Sequence, residues 1–470
     1  MKLQMTNRIA NLLVLFSLAP LFGLAQNPII QTYFTADPAP MVHDGTVFLY
    51  TTHDEDETVD NFFTMYDWRC YSTTDMVNWT DHGAVASLKD FAWSDKTNGA
   101  WAPQCIGRNG KFYLYCPIHG DGIGVLVSDS PTGPFHDPLG HRLIVDSENI
   151  WHDIDPTVFI DDDARLPDGQ GQAYLYWGNP ALFYVKLNED MISYDKSIGN
   201  NGIVAAEMTK EAFGENEGRD GQHISNYTEG PWIYKRNNLY YMVYAAAGIP
   251  EYIAYSTAPS ATGPWTYQGF IMERADHLAF TNHPAIIDYK GNSYFFYHTQ
   301  ELSGGEGFKR SVSVEQFSYN PDGTIPLIEP TKEGVKESVS NLNPYEKVEA
   351  ETIAWSEGVK TEVNSETGVY VTQINNGDYI KVKGVDFGTG SKKFEAGVAS
   401  ASKGGQIEVR LNGVNGRLLG ACKVKNAGGT DNWKTASCKL KKVEGVQDIC
   451  FVFKGNDGQL FNFDWWKFKK

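Results

Sequence analysis

The chain has 470 residues and a formal net charge of −18, with 13% aromatic residues, 46 Gly and 21 Pro. That length exceeds one ordinary domain, and richness in aromatics, Gly and Pro without a long amphipathic helical pattern predicts an all-β protein. The acidity argues against nucleic acid and anionic membrane as partners and leaves neutral ligands open.

At the N-terminus Lys2 and Arg8 precede an apolar stretch that ends on the small residues Gly23 and Ala25. This predicts a signal peptide over 1–25 and a secreted or periplasmic location. The apolar run contains Pro20 and is too short to span a bilayer, so no membrane insertion is expected.

From 26 onward one unit recurs five times: ADPAPM (36–41), WAPQCI (101–106), DIDPTVF (153–159), TEGPWIY (228–234) and NHPAII (282–287). Each leads through a turn into an aromatic strand: VFLYTT, FYLYCP, AYLYWG, LYYMVY and YFFYHT. In four copies a Gly or Asn lies seven residues after the Pro, at Gly45, Gly110, Asn238 and Gly291. A supersecondary unit repeated in this way is the signature of a radial or stacked architecture. With further strand pairs between the copies, four strands per unit predict a five-bladed β-propeller over 26–342. The Pro marks the start of each inner strand, where a missing N–H is tolerated.

Residues 326–345 read as blade closure and linker. A second module over 343–470 carries short alternating strands such as QIEVRLNG and DICFVFKG, which predicts a β-sandwich of jelly-roll type. Six Cys lack metal-type spacing; Cys422 and Cys438 flank one loop and are the best candidates for a disulfide, with ordinary buried thiols the equal alternative.

Beside the repeated Pro stand Asp37, Ala102, Asp155, Glu229 (with Gly230 between) and His283. Inner strands of a propeller line one channel, so Asp37, Asp155 and Glu229 converge. Clustered carboxylates oppose one another's ionisation and cost stability unless they serve a purpose. Two of them facing a sugar can cleave a glycosidic bond, one protonating the leaving oxygen and the other activating water. A single X-Pro acid would read as a strand cap or turn; three at equivalent places read as a site. His283 is open between a core histidine and a substrate or ion contact. Arg310, on the next strand of that unit, is expected to bind sugar hydroxyls or pair with a channel carboxylate. Trp101 and Trp232 flank the motifs as candidate sugar-stacking rings, with plain core the alternative.

At these residues the chain resembles glycoside hydrolase family 43. ADPAP, DIDPTVF and TEGPWIYK are similar to its three acidic motifs, in order, across about 27–325. The resemblance implies Asp37 as general base, Asp155 as pKa modulator, Glu229 as general acid, and inversion. It also implies a central calcium or water near His283 and substrate contact by Arg310. Ile154 before Asp155 and Gly230 after Glu229 depart from the neighbouring retaining fructosidases. The second module resembles carbohydrate-binding module family 6 through EAE (349–351) and NFDWWKF. That implies a structural calcium near Glu349, Glu351 and Asp464, and a ligand cleft at Trp433 and Asn462. Gln373 stands where that family holds a cleft Tyr.

The reading that follows is a secreted, inverting hydrolase removing α-L-arabinofuranosyl groups from arabinoxylan, with β-xylosidase or mixed arabinofuranosidase/xylosidase action as the near alternative. A non-catalytic carbohydrate-binding propeller is the alternative of another class.

Overall fold

The computed structural model describes residues 26–145, 151–165, 169, 171–216, 224–275 and 277–470. The signal peptide expected over 1–25 lies outside the described residues, as does part of the loop over 214–227.

Five antiparallel sheets follow the five repeats. Their inner strands are Phe34–His43, Gln104–Arg108, Thr157–Arg165, Tyr227–Arg236 and Ala285–Tyr289, each paired to the aromatic strand after it. Among the described residues the first, third and fourth sheets have four propeller strands, and the second and fifth have three. In the second sheet the outer position is taken by residues bridging only at Val127–His136 and Ile123–Ile144. Pro131, Pro134 and Pro138 remove donors that a fourth ladder would need.

Closure of the fifth sheet also departs from expectation. The segment 26–35, rather than 326–345, runs along the strand Ser311–Phe317: the Ile29 N–H donates to Val312 O (2.9 Å) and the Thr35 N–H to Arg310 O (2.9 Å). The later segment only backs this up, Lys332 O accepting from the Gln26 N–H at 2.8 Å. Aromatic residues of the second strands, such as Tyr50, Tyr115, Tyr176, Tyr244 and Phe296, are fully buried and fill the space between blades.

From Val348 a two-sheet sandwich begins, with its own apolar core around Phe394, Phe451, Phe463 and Trp466. It is fastened to the first blade. Its strand Thr352–Ile353 extends that sheet beside Trp79–Ser87. Thr361 Oγ1 donates to Asp81 Oδ2 at 2.6 Å, and Asp81 is already paired with buried Arg69 at 3.0 Å. All six cysteines are thiols; Cys422 and Cys438, the expected pair, are in hydrogen-bonding contact on strands Leu418–Val424 and Gly429–Val443. No helix among the described residues is long and apolar enough to cross a membrane.

Candidate active site

Backbone geometry separates the five repeats into two kinds. The residue before the Pro has positive φ in three of them: Asp37 (52°), Asp155 (56°) and Gly230 (58°). Ala102 and His283, in the other two, do not. A left-handed non-glycine residue costs about 1–3 kcal/mol and persists only where its surroundings over-determine it. Here that strain coincides with the acidic motifs. In the first repeat it sits at a bulge between Ala36 and Ala39. In the fourth, Gly230 takes the strained place and Glu229, one residue earlier, lies between two register shifts of its strand. A Cβ on Gly230 would also stand 3.2 Å from His283 Nδ1. The offset of the acid in the fourth motif is therefore a backbone requirement.

The three acids line a cavity of about 370 Å³ together with Trp101, His283 and Arg310. Phe62, Phe63, Phe280, Phe308 and Trp151 supply its apolar walls. Trp101 stacks on His119 with ring centroids 3.8 Å apart. Trp232 is not among the lining residues. It is buried, donates Nε1–H to Ile286 O at 2.9 Å, and packs in the core between the fourth and fifth blades. The register shift between Glu229 and Trp232 separates the two residues' places on the strand.

Asp37 is built to stay ionised. Thr52 Oγ1 donates to Oδ2 (2.9 Å) and Arg310 to Oδ1 (3.2 Å). Burial pushes its carboxyl up, but the Arg310 guanidinium above all, with His283 and the Thr52 hydroxyl, outweighs burial and leaves it below the usual value. Arg310 is itself fixed by Asp54, at 2.9 Å from both Nε and Nη2, and covers the Phe63 ring at 4.6 Å. Of the two expectations for Arg310, pairing with a carboxylate is the one observed. His298 Nε2 lies 2.8 Å from Thr281 O. A carbonyl only accepts, so Nε2 carries the proton and bare Nδ1 takes the Asp37 N–H at 3.3 Å. Burial, with Arg310 nearby, lowers the His298 pKa to about 3, so the ring is neutral at ordinary pH.

Asp155 is the opposite case. Burial raises its pKa well above the usual value, and Glu229 and Asp37 raise it further. The Gly230 N–H donates to Oδ2 at 2.9 Å, tying the third repeat to the fourth. Glu229 accepts a short hydrogen bond from Asn179 Nδ2 and is hydrogen-bonded to buried Glu251. A carboxyl with a raised folded pKa stabilises the fold below its unfolded pKa and loses that contribution as pH rises through the folded value. Asp155→Asn, which keeps an oxygen for the Gly230 N–H, should therefore flatten the alkaline fall in Tm, measured by calorimetry from pH 5 to 9, while lowering activity.

Comparison with known proteins decides the family. Residues 25–325 match the family described as "Glycosyl hydrolases family 43", and 349–470 match "Carbohydrate binding module (family 6)". The chain belongs to glycosyl hydrolase family 43. It is a glycoside hydrolase with an appended family 6 module. An arabinoxylan arabinofuranohydrolase of Bacillus subtilis (strain 168) is 34% identical, covering 94% of this chain and 92% of the relative. A like-named protein of Paenibacillus polymyxa is 34% identical over 94% of this chain and 74% of its own length. A crystal structure of a family 43 arabinoxylan arabinofuranohydrolase from Bacillus subtilis, in complex with cellotetraose, superposes with a TM-score of 0.80 at 32% identity, covering 96% of this chain and 98% of that one.

In the enzyme's family 6 module, Trp433 packs edge-on against Tyr370 at 5.3 Å. Asn462 is buried and mostly committed: Oδ1 accepts from Thr372 Oγ1 (2.9 Å) and Gln459 Nε2 (3.2 Å), and Nδ2 donates to Thr430 O (3.1 Å). Glu349 Oε2, Glu351 Oε2 and Asp464 Oδ1 are all buried without a hydrogen-bond donor, and Glu349 Oε2 has Lys347 Nζ as an ion-pair partner at 3.0 Å. Burial holds Asp464 up at about 6. Hard, under-satisfied carboxylate oxygens suit calcium in chemistry, but Glu349, Glu351 and Asp464 do not gather into a cluster of metal-binding type among the described residues. His283 belongs to no cluster of metal-binding type among the described residues; its Nδ1 faces Asp37 Oδ1 at 4.0 Å.

Proposed function

We propose that this family 43 enzyme removes α-L-arabinofuranosyl side groups from arabinoxylan with inversion. The observation that carries the substrate is the match along almost the whole chain, module included, to relatives named arabinoxylan arabinofuranohydrolase. The cavity, near the lower end of sizes usual for small-ligand sites, suits a short side group better than a bound polymer chain.

In this reading Asp37, held ionised by Arg310 and Thr52, takes a proton from water as its oxygen bonds to the anomeric carbon. The glycosidic C–O bond breaks with its electrons on the xylosyl oxygen, which takes the proton of Glu229. Asp155, beside Glu229, opposes ionisation there and so keeps the acid charged with its proton. Trp101 and the phenylalanine walls face the sugar. The signal-like leader over 1–25 supports export.

Release of nitrophenol from α-L-arabinofuranoside should exceed that from β-D-xyloside, with free arabinose appearing from arabinoxylan. Faster xyloside cleavage and no arabinose from the polymer would favour the β-xylosidase reading; no hydrolysis of either would favour a binding propeller.

Glu351 and Asp464, with Glu349 at the edge, are the residues that would hold a calcium ion, which would brace the start of the module against its last strand. EDTA should then lower the Tm of the module and added calcium restore it, read by calorimetry; an unchanged Tm contradicts a structural ion.

A further inference from the structure

A fourth acid meets the site from behind, in a place no repeat motif marks. Glu251 follows Pro250 and leads into the third strand of the fourth blade, Tyr252–Ala258. It is 1% exposed. One oxygen, Oε2, accepts the backbone N–H of Asn282 at 2.6 Å, which anchors the side chain to the fifth repeat. The other, Oε1, is buried and has no donor among neighbouring amides or hydroxyls. The side chain that the Glu251 carboxyl as a whole meets is the Glu229 carboxyl. Two carboxylates cannot hydrogen-bond each other, because both only accept; the contact exists only while a proton lies in the pair.

We propose that Glu251 is a positioning residue for the acid step: it holds the Glu229 carboxyl toward the channel through a proton that the two carboxyls share. The proposal rests on the reading of Glu229 as the proton donor. Glu251 is anchored to the backbone through Oε2, and the side chain its carboxyl meets is that of Glu229. Burial first, then the charge of Glu229, drives its own ionisation well above the usual range, which agrees with a shared proton.

The ionisable groups around Glu251 among the described residues are few. Glu229 and Tyr227 face it from the inner strand of its own blade, and Asp155 from the third repeat. Arg274 and Glu306 line an adjoining cavity of about 530 Å³ with it. Arg274 does not neutralise the pair: its Nε donates to Pro250 O at 2.5 Å and its guanidinium lies over Tyr252. The charge facing Glu229 from this side is therefore negative, and removing it makes Glu229 a stronger acid that gives up its proton at lower pH.

The test is the pH profile of kcat/KM for Glu251→Gln beside wild type and Glu229→Gln, on an arabinoxylan oligosaccharide. A glutamine still accepts from the Asn282 N–H and donates to Glu229, so the anchor survives. The alkaline limb of Glu251→Gln should move down by about one pH unit or more, with kcat falling and KM little changed. Glu251→Asp, which withdraws the carboxyl by one methylene, should move it the same way by less, and serves in place of the glutamine variant should that one not fold. A lowered Tm with an unshifted profile overturns the proposal and leaves Glu251 a structural residue. Wild-type activity in Glu229→Gln overturns the underlying reading instead; an inactive Glu229→Gln with an unshifted Glu251→Gln overturns this proposal alone.

Discussion

Glu229→Gln is expected to lower kcat/KM on arabinoxylan by about 10²–10⁴-fold, the range that a positioned general acid contributes. The fold should be retained. A glutamine oxygen still accepts from Asn179, and its amide can donate to the neighbouring Glu251 carboxyl. The loss should depend on the leaving group. A xylosyl oxygen leaves poorly without a proton, whereas nitrophenolate is a stable anion, so nitrophenyl arabinofuranoside should suffer much less. Steady-state kinetics on both substrates check this; an equal loss on each would contradict proton donation as the task of Glu229.

Asp37→Asn should lose a similar factor of about 10²–10⁴ but on both substrates alike, because the base acts on water and not on the leaving group. Arg310 would not be stranded, since Asp54 still grips it through two bonds of 2.9 Å. Stability should therefore fall little near neutral pH. The acid limb of the wild-type profile carries the same signature. With its folded pKa depressed, Asp37 loses its charge only as pH falls through a value below the ordinary carboxylate range, and rate and the associated stability fall together there. A Glu229-like dependence on the leaving group in Asp37→Asn would contradict its role as base.

The propeller was legible because each repeat announces itself twice, by a Pro at the inner strand and by a turn seven residues later. The three acids were legible for the same reason. Their supports were not, because they lie off the marked strand. Thr52 and Asp54 end the second strand of the first repeat, and His298 stands near the end of the corresponding strand of the fifth. His119 and Asn179 follow the second strands of the second and third. A polar residue after an aromatic strand, as in VFLYTTHD or YFFYHT, is the signal that could have found them: a buried polar group there needs a partner, and the channel provides it. Trp232 misled because its neighbour in sequence is an acid of the site. Alternation along a strand holds only without a bulge, and the register shift between Glu229 and Trp232 breaks it. Glu251 carries no marker at all; only the fold brings it to Glu229.

In the proposed mechanism water, activated by Asp37, attacks from the face opposite the leaving group. Proton NMR of the first sugar released from an arabinoxylan oligosaccharide tests it, read before mutarotation equilibrates the anomers. Inversion predicts β-L-arabinofuranose as the first-formed product from an α-linked side group. First-formed α-L-arabinofuranose would mean a covalent intermediate and would contradict the assignment of Asp37 as the base.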